Sequence, residues 1–165
     1  EAFESHPRII ILGNGGSNSV ASHISQDYMK FHRKKVSILS DPSMLTMLTN
    51  DFGYENAYQK FLEYYVEDNT LVIIMSSGGE SKNMLNAKDW CEERKVSYGV
   101  LTGFKSYNSL KTTSPSALWN YFIDTVPSVN YSLFVLYILA TVYAIATFHS
   151  ITLTVLPLPF ATLIL

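Results

Sequence analysis

Two stretches of the chain share one pattern. "RIIILGNGGS" (Arg8 to Ser17) and "LVIIMSSGGES" (Leu71 to Ser81) each carry an apolar, β-branched run into a turn rich in glycine and serine. A short apolar run of this kind reads as a strand covered on both faces, as in parallel sheets. Glycine at its end lets the backbone turn sharply and approach a ligand. An amphipathic stretch follows each turn. Val20, Ala21, Ile24 and Tyr28 recur at helical spacing after the first, with Ser17 placed to cap that helix. A helix is expected from about Lys82 to Arg94 after the second.

The remaining segments alternate in the same way. "KKVSIL" (Lys34 to Leu39) reads as a strand, and "DPSMLTML" as a cap, a first-turn proline and a short helix. Tyr58, Phe61, Leu62 and Tyr65 form another helical stripe; "VSYGVLTG" and "ALWNYFI" are further strands. Strands alternating with helices predict an α/β domain with a mostly parallel sheet. With 165 residues, one domain with a sizeable core is expected.

Charge is distributed unequally. Every Lys, Arg, Asp and Glu lies at or before Asp124, so we divide the chain into an α/β domain (1–124) and an uncharged apolar segment (125–165). A net charge of -2 gives no electrostatic reason to expect a nucleic-acid partner. The single cysteine, Cys91, suits a reducing compartment and reads as packed on its helix. "EAFESHPR" lacks the basic and apolar regions of a secretory signal, and a start without Met suggests a fragment or a processed chain. The expected location is cytoplasmic. His6 falls in a segment expected to be disordered, and His32 in a small, solvated basic patch.

In open parallel sheets, ligands bind beyond the carboxyl ends of the strands, where both Gly/Ser turns should lie. Free N–H groups, serine hydroxyls and a helix dipole together favour an anion, phosphate above all. Either turn alone would ordinarily be a turn and nothing more. Two on one sheet edge favour a site. Neither is a nucleotide-binding GxxxxGK[ST] or GxGxxG motif.

"GNGGS" followed by His23 and Asp27, then "TNDFGYE", then "SSGGESKN" resembles the sugar isomerase (SIS) domain family in its phosphoheptose isomerase branch, over about Ile9 to Gly103. The resemblance implies a three-layer, Rossmann-like sandwich with helices on both faces of the sheet. It implies that Asn14, Gly15, Gly16 and Ser17 line a sugar-phosphate site. Asn50 and Asp51 fall where the family binds sugar hydroxyls; Ser76, Ser77, Gly78 and Ser81 fall in its phosphate loop. Gly78 stands where the family usually has serine, and Glu80 where it usually has asparagine, which puts a carboxylate beside an expected phosphate.

The implied activity is an aldose–ketose isomerisation, sedoheptulose 7-phosphate to a heptose 7-phosphate, through an enediol. His23 and Asp27 are four residues apart and share a helix face. Such a pair is ordinarily a surface pair. The family's zinc-binding members have His and Glu at these positions, so Asp27 is the candidate base and metal ligand, one methylene shorter, and His23 a candidate zinc ligand. The alternative function is a non-catalytic sugar-phosphate-binding module, a sensor or assembly protein. A homo-oligomer, dimer or tetramer, is implied as well.

The family's remaining ligands, a Gln and a His on a late helix, have no match after "ALWNYFIDT": residues 125–165 hold no Gln and one His, His149. Three readings of this segment stand side by side. It is a buried or oligomer-forming helix; or it is a membrane anchor through Tyr131 to Thr147, disfavoured by the lack of flanking Lys or Arg; or the reading frame is lost after about Asp124. The resemblance implies a helical region before the first strand, and its absence from this sequence suggests truncation at that end too.

Overall fold

The computed structural model describes residues 5–103, 108–111 and 117–123. The elements run β1 (Arg8–Gly13), α1 (Gly16–His32), β2 (Lys35–Ile38), α2 (Pro42–Phe52), α3 (Ala57–Tyr65), β3 (Thr70–Ser76), α4 (Lys82–Arg94), β4 (Tyr98–Gly103) and β5 (Ala117–Ile123). The five strands form one sheet in the order β2-β1-β3-β4-β5, and every neighbouring pair is parallel. Residues 125–165, and with them all three readings of that segment, lie outside the described residues.

Side chains alternate across a strand, so the continuous apolar runs of β1 and β3 serve two cores at once. Ile9, Ile11, Leu71, Ile73 and Met75 face α1 and pack on Val20, Ala21, Ile24 and Tyr28. Ile10, Leu12, Val72 and Ile74 face the other way, onto Leu48 of α2, Phe61 and Leu62 of α3, and Met84, Ala87 and Trp90 of α4. The expected three-layer α/β sandwich is therefore present. Cys91 is fully buried in the second core, and burial pushes its thiol up to about 12.

Local signals account for the helix ends. Asp41 caps α2 by accepting the Met44 N–H at 2.8 Å, and Pro42 opens the helix. α1 departs from expectation: its cap is Gly15, at φ 51° and ψ −120°, and no side chain caps it. Ser17 lies instead within the first turn, buried, its N–H bonded to the Asn14 carbonyl at 3.0 Å. The glycine conformation lets the backbone close the turn, which leaves the serine cap redundant. His6, expected to be disordered, departs too: its carbonyl accepts from Lys34 Nζ at 3.1 Å.

Strand order reverses between β1 and β3, which carry the two Gly/Ser turns at their carboxyl ends. In open α/β sheets that switch point is where ligands bind.

Candidate phosphate-binding site

The β1–α1 turn depends on close backbone approach. A Cβ on Gly13 would lie 2.7 Å from the Ser17 carbonyl carbon, closer than any side chain tolerates. Tyr58 of α3, buried, donates its hydroxyl to the Gly13 carbonyl and fixes the end of β1 from the opposite layer. Burial raises the Tyr58 hydroxyl far above the ordinary phenol range, with Tyr54 adding a smaller push, so Tyr58 remains a donor.

Asn14 joins three loops. Its side-chain amide and that of Asn83, in the first turn of α4, bond reciprocally: Asn14 Nδ2 donates to Asn83 Oδ1 at 3.0 Å, and Asn83 Nδ2 to Asn14 Oδ1 at 2.9 Å. The Tyr54 hydroxyl, from the turn between α2 and α3, donates to the same Asn14 Oδ1 at 3.0 Å. Glu55 and Asn56 extend this tie. Asn86 Nδ2 donates to the Glu55 carbonyl at 3.0 Å, and Lys82 Nζ pairs with the Glu55 carboxylate at 3.2 Å. Glu55 and Asn83 carry no expectation from the sequence, although "NDFGYE" and "SSGGESKN" contain them. Tyr54, which reads from the sequence as core or interface with the other tyrosines up to Tyr65, is instead exposed and reaches Asn14.

The β3–α4 loop closes on itself. Ser76 Oγ accepts the Gly79 N–H at 3.2 Å, and the Ser77 carbonyl accepts the Gly103 N–H at 3.0 Å, tying the loop to the end of β4. Gly79 has φ 68°, and a Cβ there would strike the Asn108 side chain at 2.3 Å. Ser81 stands at the N-cap of α4 with no side-chain cap bond. The first amides of a helix have no intrahelical acceptor, so α1 and α4 both present donors at this edge. Glu80 is engaged elsewhere: it accepts from the Ser109 N–H at 3.0 Å and the Ser109 hydroxyl at 2.6 Å.

The other expected residues lie farther out. Asn50 and Asp51 are exposed at the end of α2, with Asn50 Nδ2 donating to Asp51 Oδ1 at 2.8 Å; Tyr54, and neither of them, reaches Asn14. His23 Nε2 stands 3.8 Å from Asp27 Oδ2, with the side chains 65% and 41% exposed. At 1.5 Å per residue, Asp27 lies about 16 Å along α1 from Gly16. No group of three His, Cys, Asp or Glu side chains that could hold a metal occurs among the described residues. A zinc site takes three or four protein ligands, so the pair does not by itself fit the ion. A hollow of about 280 Å³, lined by Gln59, Asn86, Asp89, Trp90 and Glu93, lies on α3 and α4 and contains none of the site residues expected from the sequence.

No family model matches the chain. Among curated proteins it is 36% identical over 124 residues to a phosphoheptose isomerase of Helicobacter pylori, covering 72% of this chain and 64% of the relative. It is 31% identical over 108 residues to the phosphoheptose isomerase of Buchnera aphidicola, covering 62% and 56%. The chain thus spans about six tenths of the length of these relatives. Among solved structures, a phosphoheptose isomerase from Francisella tularensis superposes with a TM-score of 0.69 at 19% identity, covering 83% of this chain and 72% of the other. The resemblance read from the three motifs is borne out in sequence, and the sugar-isomerase fold in structure.

Proposed function

We propose that the chain is a phosphosugar isomerase of the phosphoheptose type, acting in the cytoplasm on a seven-carbon ketose phosphate. The observation that carries this reading is that Asn14, in the Gly/Ser turn after β1, bonds both Tyr54 and Asn83, the latter in the helix turn that follows the second Gly/Ser loop, at the β1/β3 switch point. Sequence similarity to phosphoheptose isomerases supports it. Donors from the Asn14–Ser17 turn and from Ser76, Ser77, Gly78 and Ser81 hold the phosphate, and Asn50 and Asp51 serve the sugar hydroxyls. The sugar extends from these loops along α1 toward Asp27.

Asp27 is the base. It takes a proton from C1 of the ketose and returns one to C2, while a proton passes from O1 to O2 through the enediol. His23, next to it, carries the hydroxyl proton. The same two side chains would supply two of the ligands of a zinc ion, the rest coming from a neighbouring subunit. A homo-oligomer belongs to the same proposal.

One observation favours a second reading, a sugar-phosphate-binding module without turnover: the His23–Asp27 pair is open to solvent and far along the helix from the phosphate loops. Titration calorimetry with sedoheptulose 7-phosphate tests what the two readings share. Saturable binding that Ser77→Ala weakens supports the site, and no binding by the intact chain overturns both.

A further inference from the structure

A carboxylate in a phosphate loop repels its ligand unless something holds it. At Glu80 both oxygens are held by one residue: Oε1 takes the Ser109 N–H at 3.0 Å and Oε2 the Ser109 hydroxyl at 2.6 Å. Bonds to a charged acceptor from two donors are the strong kind, and the pair fixes the carboxylate in direction as well as distance. Ser109 is itself fixed. Its neighbour Leu110 is fully buried and donates its N–H to the Gly79 carbonyl at 3.1 Å. Its other neighbour, Asn108, fills the space beside Gly79 and donates to Thr102 Oγ1 at 3.2 Å. Lys88 Nζ reaches the Ser109 carbonyl at 3.5 Å.

We propose that Ser109 and Glu80 form a latch that pins residues 108–111 onto the β3–α4 loop and holds the Glu80 carboxylate off the phosphate, with Ser109 as a positioning residue for ligand binding. The latch rests on the phosphate-site reading above. It assigns a role to a residue outside all three sequence motifs, and it explains how an anion loop keeps an acid. Loss of the hydroxyl removes the 2.6 Å bond to Oε2 and leaves the N–H bond to Oε1, so the carboxylate is held less firmly in direction, and affinity falls only while position 80 carries charge.

The test is a double-mutant cycle on Ser109→Ala and Glu80→Gln, read by calorimetry with sedoheptulose 7-phosphate and by amide hydrogen exchange without ligand. Ser109→Ala is expected to raise Kd about fivefold with Glu80 present and to leave it unchanged in the Glu80→Gln background, with kcat unaltered wherever turnover is seen. Equal effects in both backgrounds, or none, overturn the proposal. Exchange at the Ser109 and Leu110 amides should quicken about tenfold in Glu80→Ala and stay near its original rate in Glu80→Gln. Unchanged exchange in Glu80→Ala overturns the latch even if the ligand binds. Quickened exchange in a chain that binds no sugar phosphate leaves the latch standing and overturns its role in ligand binding together with the phosphate-site reading.

Discussion

The side-chain amides of Asn14 and Asn83, 69 residues apart in the chain, bond to each other in both directions at 3.0 and 2.9 Å. Each amide offers one oxygen and one NH₂ to the other, so the β1–α1 turn and the first turn of α4 are held at a set distance. Asn83 is 2% exposed, and loss of its amide leaves that of Asn14 without its match. Asn83→Ala is expected to destabilise the fold by about 1–3 kcal/mol in urea unfolding. It should also weaken sugar-phosphate binding, by calorimetry, more than a remote substitution of equal destabilisation does.

Two glycines are required for different reasons. At Gly13 a methyl group meets backbone atoms of α1, which cannot move aside, so Gly13→Ala should prevent stable folding. At Gly79 the obstacle is the Asn108 side chain, with a positive φ in addition. Gly79→Ala should cost about 1–3 kcal/mol, and adding Asn108→Gly should recover part of that loss. Thermal unfolding of the three variants checks the order.

Alkaline pH should weaken the fold. Burial pushes Cys91 up to about 12 and Tyr28 up to about 12, and it raises Tyr58 further. All three are neutral acids in the folded chain, while the unfolded chain loses these protons near pH 9 to 10. Above that range the folded state binds more protons than the unfolded one. Stability is therefore fully present below about pH 9 and falls as pH rises toward the folded values, by up to about 1.4 kcal/mol per pH unit for each group. Denaturant midpoints between pH 8 and 11 measure this. A midpoint that does not move contradicts the burial of these groups.

The Asp41 cap is a local device with a local effect. Asp41→Ala removes the acceptor for the Met44 N–H and should cost about 1 kcal/mol, whereas Asp41→Asn should cost less. Denaturant unfolding of the two variants gives the comparison.

Sequence patterning revealed most of the fold. The apolar run from Leu71 to Met75 reads as a strand covered on both faces and lies within β3, and α4 begins at Lys82 and ends at Arg94 as expected. Ser17 was expected to cap α1, and patterning could not show that Gly15 would take a conformation in which backbone closes the turn. The site was legible as loops but not as contacts. Asn14 finds Asn83 and Tyr54, and Glu80 finds Ser109, across separations that only the sheet order sets. The spacing of His23 and Asp27 is legible, and so is a distance that follows from helix rise alone: the pair lies well down α1 from the Gly/Ser turn after β1.

Asp27 is proposed to take a proton from a sugar phosphate held by the Gly/Ser loops. Turnover of sedoheptulose 7-phosphate by the purified chain, with and without added zinc, tests it most directly when paired with Asp27→Asn. The expected result is conversion that Asp27→Asn lowers at least about a hundredfold while calorimetric binding persists. Conversion that Asp27→Asn leaves unchanged, or binding with no conversion under either condition, contradicts it.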